Sequence, residues 1–143
     1  MVKIYGGCYC GNITYAAELA DSPRSYTTRT CDCDFCTAHG ASYVSDSKGK
    51  LALEIKSEKE TSRFRQGSGI VDFLICRNCG VVVGACYEEG GILYGAINSK
   101  SVRKKLAFGE SISVSPKKLN DSEKVKRWKE IWFPNVRLTH RDA

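Results

Sequence analysis

Seven of the eight cysteines fall into three tight groups, and no other feature restricts the fold so strongly. The groups are Cys8-Tyr9-Cys10, Cys31-Asp32-Cys33-Asp34-Phe35-Cys36 and Cys76-Arg77-Asn78-Cys79, while Cys86 stands apart. In an extended chain, residues i and i+2 point to the same face, so a C-x-C offers two thiols in one direction. A C-x-x-C reversed by a tight turn wraps two sulfurs around one point, and Gly80 after Cys79 eases such a turn. Eight cysteines in 143 residues fall short of the roughly 8–10% of a disulfide miniprotein. The length suits one domain over 1–143, which can bury enough apolar surface to fold without staples. Met1 to Gly7 carry no long apolar stretch of the secretory kind, and no run approaches a membrane span. A cytoplasmic chain with reduced thiols is therefore expected, and clustered thiols in such a chain point to metal or to chemistry rather than to disulfides.

Zinc takes four ligands tetrahedrally, and a closed four-thiolate site is structural. Seven grouped thiols cannot fill two closed sites. They divide as four plus three, and a three-thiolate site leaves a position open for chemistry. Cys31, Cys33 and Cys36 lie within one short loop and can share one metal. The C-x-C and the C-x-x-C then share the other, clamping the first strand to the middle of the sheet. Spacing by itself leaves other partitions open. For the triple group a redox C-x-x-C is the rival reading, set against the third cysteine and the charges of Asp32 and Asp34. His39, three residues past Cys36, offers a fourth ligand, although a surface place is the plainer reading. His140 belongs to the tail. Cys86, among Val81, Val82, Val83, Ala85 and Tyr87, reads as a core thiol.

Period-two patterning dominates the rest. Ile13, Tyr15, Ala17 and Leu19 alternate with Asn12, Thr14, Ala16 and Glu18, as a half-buried strand does. Leu51, Leu53 and Ile55, then Val71, Phe73 and Ile75, repeat the pattern. Val81 to Tyr87 reads as a more buried strand. It is joined to Ile92–Ile97 by a glycine-bearing hairpin at Glu89-Gly90-Gly91. Ile112 and Val114 alternate briefly. One good helix is predicted, Ser122 to Trp132, with Val125, Trp128, Ile131 and Trp132 on one face. Asn120 or Asp121 caps it and Pro134 follows it. Its tryptophans are expected to anchor it on the sheet. Ser99 to Leu106 has room for a short helical turn, and Gly67-Ser68-Gly69 reads as a turn between strands. The prediction is a mostly-β domain with a C-terminal helix over about 120–133.

The net charge is +6. Cations concentrate in Arg103-Lys104-Lys105, Lys117-Lys118 and Lys124 to Lys129. A solvated surface is the plain reading of such runs, and a polyanion patch the sharper one.

Taken together, Gly6-Gly7-Cys8-Tyr9-Cys10-Gly11-Asn12-Ile13-Thr14-Tyr15, the triple group, Arg65-Gln66-Gly67-Ser68-Gly69 and Cys76-Arg77-Asn78-Cys79-Gly80 resemble the glutathione-dependent formaldehyde-activating enzyme family, which includes the centromere protein V-like domain. The resemblance spans about residues 3–115. It implies a β-tent fold, a structural zinc on Cys8, Cys10, Cys76 and Cys79, and a second zinc on Cys31, Cys33 and Cys36, the catalytic cysteines, open to a thiol substrate. It also implies the family's carbon–sulfur lyase reaction, which joins glutathione and formaldehyde. The expected partner is thus a small-molecule thiol such as glutathione, with neither membrane nor nucleic acid expected. A non-catalytic zinc module that binds a protein or nucleic acid is the alternative. Thr37-Ala38 stand where family members often carry a basic or bulky residue. Arg63, Arg65 and Arg77 are the cations considered for the carboxylates of glutathione.

Overall fold

The structure, a computed structural model, describes residues 1–65, 69–104 and 107–141. Most of the expected Gly67-Ser68-Gly69 turn, and the end of the Ser99–Leu106 stretch, lie outside the described residues. Eleven strands and two α-helices follow in order: β1 (Val2–Gly7), β2 (Ile13–Leu19), β3 (Thr28–Cys31), α1 (Asp34–His39), β4 (Ser42–Val44), β5 (Lys50–Ile55), β6 (Thr61–Phe64), β7 (Asp72–Cys76), β8 (Val82–Glu89), β9 (Ile92–Asn98), β10 (Ser111–Val114), α2 (Asp121–Ile131) and β11 (Arg137–His140). The strands form a four-stranded sheet, β1-β2-β5-β11, and a seven-stranded sheet, β10-β3-β4-β9-β8-β7-β6. Neighbours run antiparallel except for the two late strands: β10 lies parallel to β3, and β11 parallel to β5. The mostly-β architecture with a C-terminal helix is the one expected.

The larger sheet is buried on both faces. One face meets the smaller sheet over a core in which Ile13, Leu19 and Ile55 pack with Val44, Leu74, Val83 and Ile97. The other face carries a second core, where Val71, Phe73, Ala85 and Ala96 meet Cys36, Trp128 and Trp132. This two-sided burial corrects the period-two reading of Val71, Phe73 and Ile75. Leu74, not Ile75, is the deeply buried residue, at 1% exposure. The β7–β8 ladder slips between them: Leu74 faces Gly84 and Ile75 faces Val82, so Val83 is the extra residue of a bulge. A strand covered on both faces has no polar side to mark its period.

Helix α2 starts on a capping box: Asn120 Oδ1 accepts the Glu123 N–H at 2.8 Å, and the Glu123 carboxylate accepts the Asn120 N–H at 2.9 Å. Its tryptophans stack at 5.3 Å, and Trp128 also meets Tyr87 at 5.5 Å. Both rings anchor the helix on the larger sheet, as expected. The next residue changes sides. Strand β4 pairs with β9 only at Asn98 and Ile97, which leaves the edge of β9 free at Gly95. Phe133 exchanges two backbone hydrogen bonds with Gly95, at 2.9 and 3.0 Å, and enters the core between the sheets. That crossing delivers the tail to β5 as β11, a strand that the short polar sequence Arg137–His140 does not announce.

Candidate metal centres and the cavity beside them

Each cysteine group sits where a strand ends. Cys8 follows β1 and Cys10 precedes β2, whereas Cys76 closes β7 and Cys79 lies in the turn to β8. The two pairs therefore come from different sheets. They use matching local folds. Cys8 N–H donates to the Ile13 carbonyl at 2.9 Å, while Ile13 N–H donates to Cys8 Sγ at 3.3 Å. Cys76 N–H donates to the Val81 carbonyl at 3.0 Å, while Cys79 N–H donates to Cys76 Sγ at 3.4 Å. Gly80 closes the second turn at φ +80°, a conformation that L side chains rarely adopt. The four sulfurs lie within 4.8 Å of one another. Cys8 and Cys10 are 3.8 Å apart, and Cys10 and Cys76 3.5 Å. A zinc–sulfur bond of about 2.3 Å implies tetrahedral edges of ~3.8 Å, so this donor set fits a closed tetrahedral ion. A hydrogen bond from the Asn78 side chain, backed by the Asn12 N–H, holds the Cys10 thiol down at about 6, whereas burial pushes Cys76 up to about 12.

Cys31 ends β3, Cys33 caps α1, and Cys36 stands in the helix. Their sulfurs also lie within 4.8 Å of one another. The Cys36 N–H donates to Cys33 Sγ at 3.4 Å, so the first helical turn presets the loop. The Cys36 thiol hydrogen-bonds to Cys31 and, despite burial, holds it at about 6; the same contact and burial push Cys36 upward. The Tyr43 hydroxyl lies 3.4 Å from Cys36 Sγ, and burial followed by the nearby sulfur charge raises its pKa. Ser115, just past β10, donates to the Asp32 carboxylate, whose other oxygen is buried without a partner among the described residues. His39 does not join the group: it is exposed, with its ring 4.6 Å from that of Phe35. Cys86 is buried in the core between the sheets, and desolvation lifts it to about 12.

Beside the three thiols lies a cavity of about 140 Å³. Phe73 and Ala85 of the sheet, with Val71 just before β7, form one wall, and Trp128 and Ile131 of α2, with Trp132 at its end, form another. Arg29, Lys117, Lys124 and Arg127 also line it, and no carboxylate does among the described residues. Those are not the arginines considered from sequence. Arg63 pairs with Glu58 at 2.9 Å, Arg65 with Asp72 at 2.7 Å, and Arg77 donates to the Lys59 carbonyl at 3.3 Å. The helical spacing of Lys124, Arg127, Trp128 and Ile131 carried a signal for two of the four cations, since i, i+3 and i+4 share a face. Nothing local marks Arg29.

The fold and site define a β protein with two preformed thiol clusters, one closed between the sheets and one opening on a cavity. The sequence signature of the family described as glutathione-dependent formaldehyde-activating enzyme matches residues 3–108. The chain belongs to that family, and with it to a formaldehyde-activating, carbon–sulfur lyase type of role. Among curated proteins, none matches the chain significantly. A crystal structure of a Rhodobacter sphaeroides protein is similar over 76% of this chain and 100% of its own, at 18% identity and a TM-score of 0.53, a likeness of fold. Among the described residues, no helix is long and apolar enough to cross a membrane.

Proposed function

We propose that the chain is a zinc-dependent carbon–sulfur lyase that joins or cleaves a small thiol, glutathione or a relative, and an aldehyde at the centre formed by Cys31, Cys33 and Cys36. One observation carries this reading. The three thiols line a cavity, and among the described residues no fourth histidine, cysteine or carboxylate joins them. The cluster of Cys8, Cys10, Cys76 and Cys79 takes a second, structural zinc. Bound at the open centre, zinc supplies a place that holds a substrate sulfur as thiolate.

The chain's residues do the positioning. Cys33 and Cys36 are oriented by the first turn of α1, and Tyr43, protonated at neutral pH, braces Cys36. Trp128, Trp132 and Phe73 exclude water and pack against the hydrocarbon of the substrate. In the joining direction the sulfur–carbon bond forms as the carbonyl π bond breaks, and the proton of the thiol ends on the new hydroxyl. Holding the sulfur and the aldehyde carbon in contact is the main contribution asked of such a site.

Exchange NMR of glutathione with formaldehyde tests the proposal. Acceleration over the uncatalysed exchange, lost in Cys36→Ser, is expected. No acceleration with any thiol, together with salt-sensitive DNA binding, would turn the reading to the non-catalytic zinc module.

A further inference from the structure

Arg29 and Arg127 face the same cavity, and neither forms an ion pair among the described residues. Both are half-buried. A guanidinium carries five N–H donors. Arg29 commits one to Ser45 Oγ at 2.7 Å, and Ser45 in turn donates to the Ile131 carbonyl at 2.7 Å, which fixes Arg29 against the end of α2. No side-chain hydrogen bond engages Arg127 among the described residues. Two like charges held toward one cavity are costly unless anions join them, and the neighbouring thiolates, three around a zinc dication, would offset only one of them. Lys117 and Lys124 add positive charge to the lining, and among the described residues no carboxylate lines the cavity to neutralise it.

We infer that Arg29 and Arg127 form a carboxylate subsite, so that the preferred substrate is a compact thiol bearing a carboxylate on a short hydrocarbon and needing no ammonium partner. This rests on the lyase reading for its thiol, but the subsite can be tested without turnover. The pairing of a planar carboxylate with guanidinium donors is the strong, bidentate kind. The apolar wall of Trp128 and Trp132 takes the hydrocarbon. An ammonium group finds no acid among the described residues of the lining, which sets this cavity against cationic thiols. Lys117, Lys124, Arg127 and both tryptophans come from beyond residue 108, where the family match ends. The subsite thus belongs to this chain's own C-terminal segment as well as to β3.

The chain's two tryptophans both line the cavity, so intrinsic fluorescence reports occupancy directly. The zinc-loaded protein is titrated with 3-(methylthio)propionate and with the corresponding amide, neither of which has a free thiol. The carboxylate is expected to bind roughly 10- to 100-fold tighter than the amide, the range for charge-assisted hydrogen bonds. Arg127→Met is expected to remove most of that preference, and Arg127→Lys to keep part of it. Arg63→Met, away from the cavity, should leave it intact. Equal binding of acid and amide by the wild type overturns the subsite, as does a preference that survives in Arg127→Met. Should Arg127→Met not fold, the wild-type comparison and Arg127→Lys still decide. A clear acid preference without any thiol–aldehyde exchange would sink the lyase reading and leave the subsite standing.

Discussion

A methyl group placed on Gly6 would lie 2.3 Å from Tyr15 Oη and 2.5 Å from the Ser101 carbonyl. The glycines before the first cysteine pair therefore have a packing cause. Gly6 lets β1 approach the buried Tyr15–Ser101 hydrogen bond of 2.9 Å, which ties the smaller sheet to the segment after β9. Gly6→Ala is expected to destabilise the fold by about 1–3 kcal/mol through overpacking, read as a lower urea midpoint. Asp46 acts differently. Burial alone would raise its pKa, but the Ala20 N–H, the Tyr26 hydroxyl and the Lys48 N–H all donate to it and hold it below the ordinary range. A depressed folded pKa adds stability that is present above the unfolded value, about 3.9 for Asp, and is lost as pH falls through the folded one. Asp46→Asn should lower stability at pH 7 and flatten its acid-side dependence; unchanged melting curves from pH 3 to pH 7 would count against this account.

At the scale of elements, α2 is the helix on which the cavity depends. Its cap, at Asn120 or Asp121, and its two tryptophans were readable from sequence, because a cap and an i, i+4 pair are local; the reciprocal bonds of Asn120 and Glu123 came with the structure. Asn120→Ala should cost about 1 kcal/mol, visible as a lower thermal midpoint. Trp128→Ala should cost about 3–5 kcal/mol and also weaken ligand binding, because the ring forms part of the cavity wall. A variant as stable as wild type would contradict the packing described for this ring. Several short strands escaped sequence reading for a physical reason. β3, β4 and β6 have three or four residues each, too few for a period to show. β11 exists only because the Phe133 crossing brings the tail to the free edge of β5.

For the whole molecule, the four-cysteine cluster joins strands of different sheets, so its metal would act as a clasp between layers. Metal analysis is expected to give two zincs per chain. Cys79→Ser should lose the clasp and unfold the domain, because structural zinc binding contributes folding free energy. Cys36→Ser should lose one zinc and leave the circular-dichroism spectrum unchanged. A single zinc, with Cys31, Cys33 and Cys36 alkylated freely in the native protein, would remove the basis for an open metal centre.

By itself the sequence determined what is local: the cysteine groups, the alternating strands, the glycine hairpin, the capped helix and the family these motifs carry. Their causes act within a few residues, so spacing and residue type suffice to read them. Only the tertiary structure brought Arg29 and Arg127 together beside the thiols. The two stand nearly a hundred positions apart, and they share a cavity only because α2 packs on a face of the larger sheet, of which β3 is a strand. It also decided that Arg63 and Arg65 turn instead to Glu58 and Asp72. A charged side chain reaches whatever lies within a few ångströms of it, and only the folded chain sets what that is.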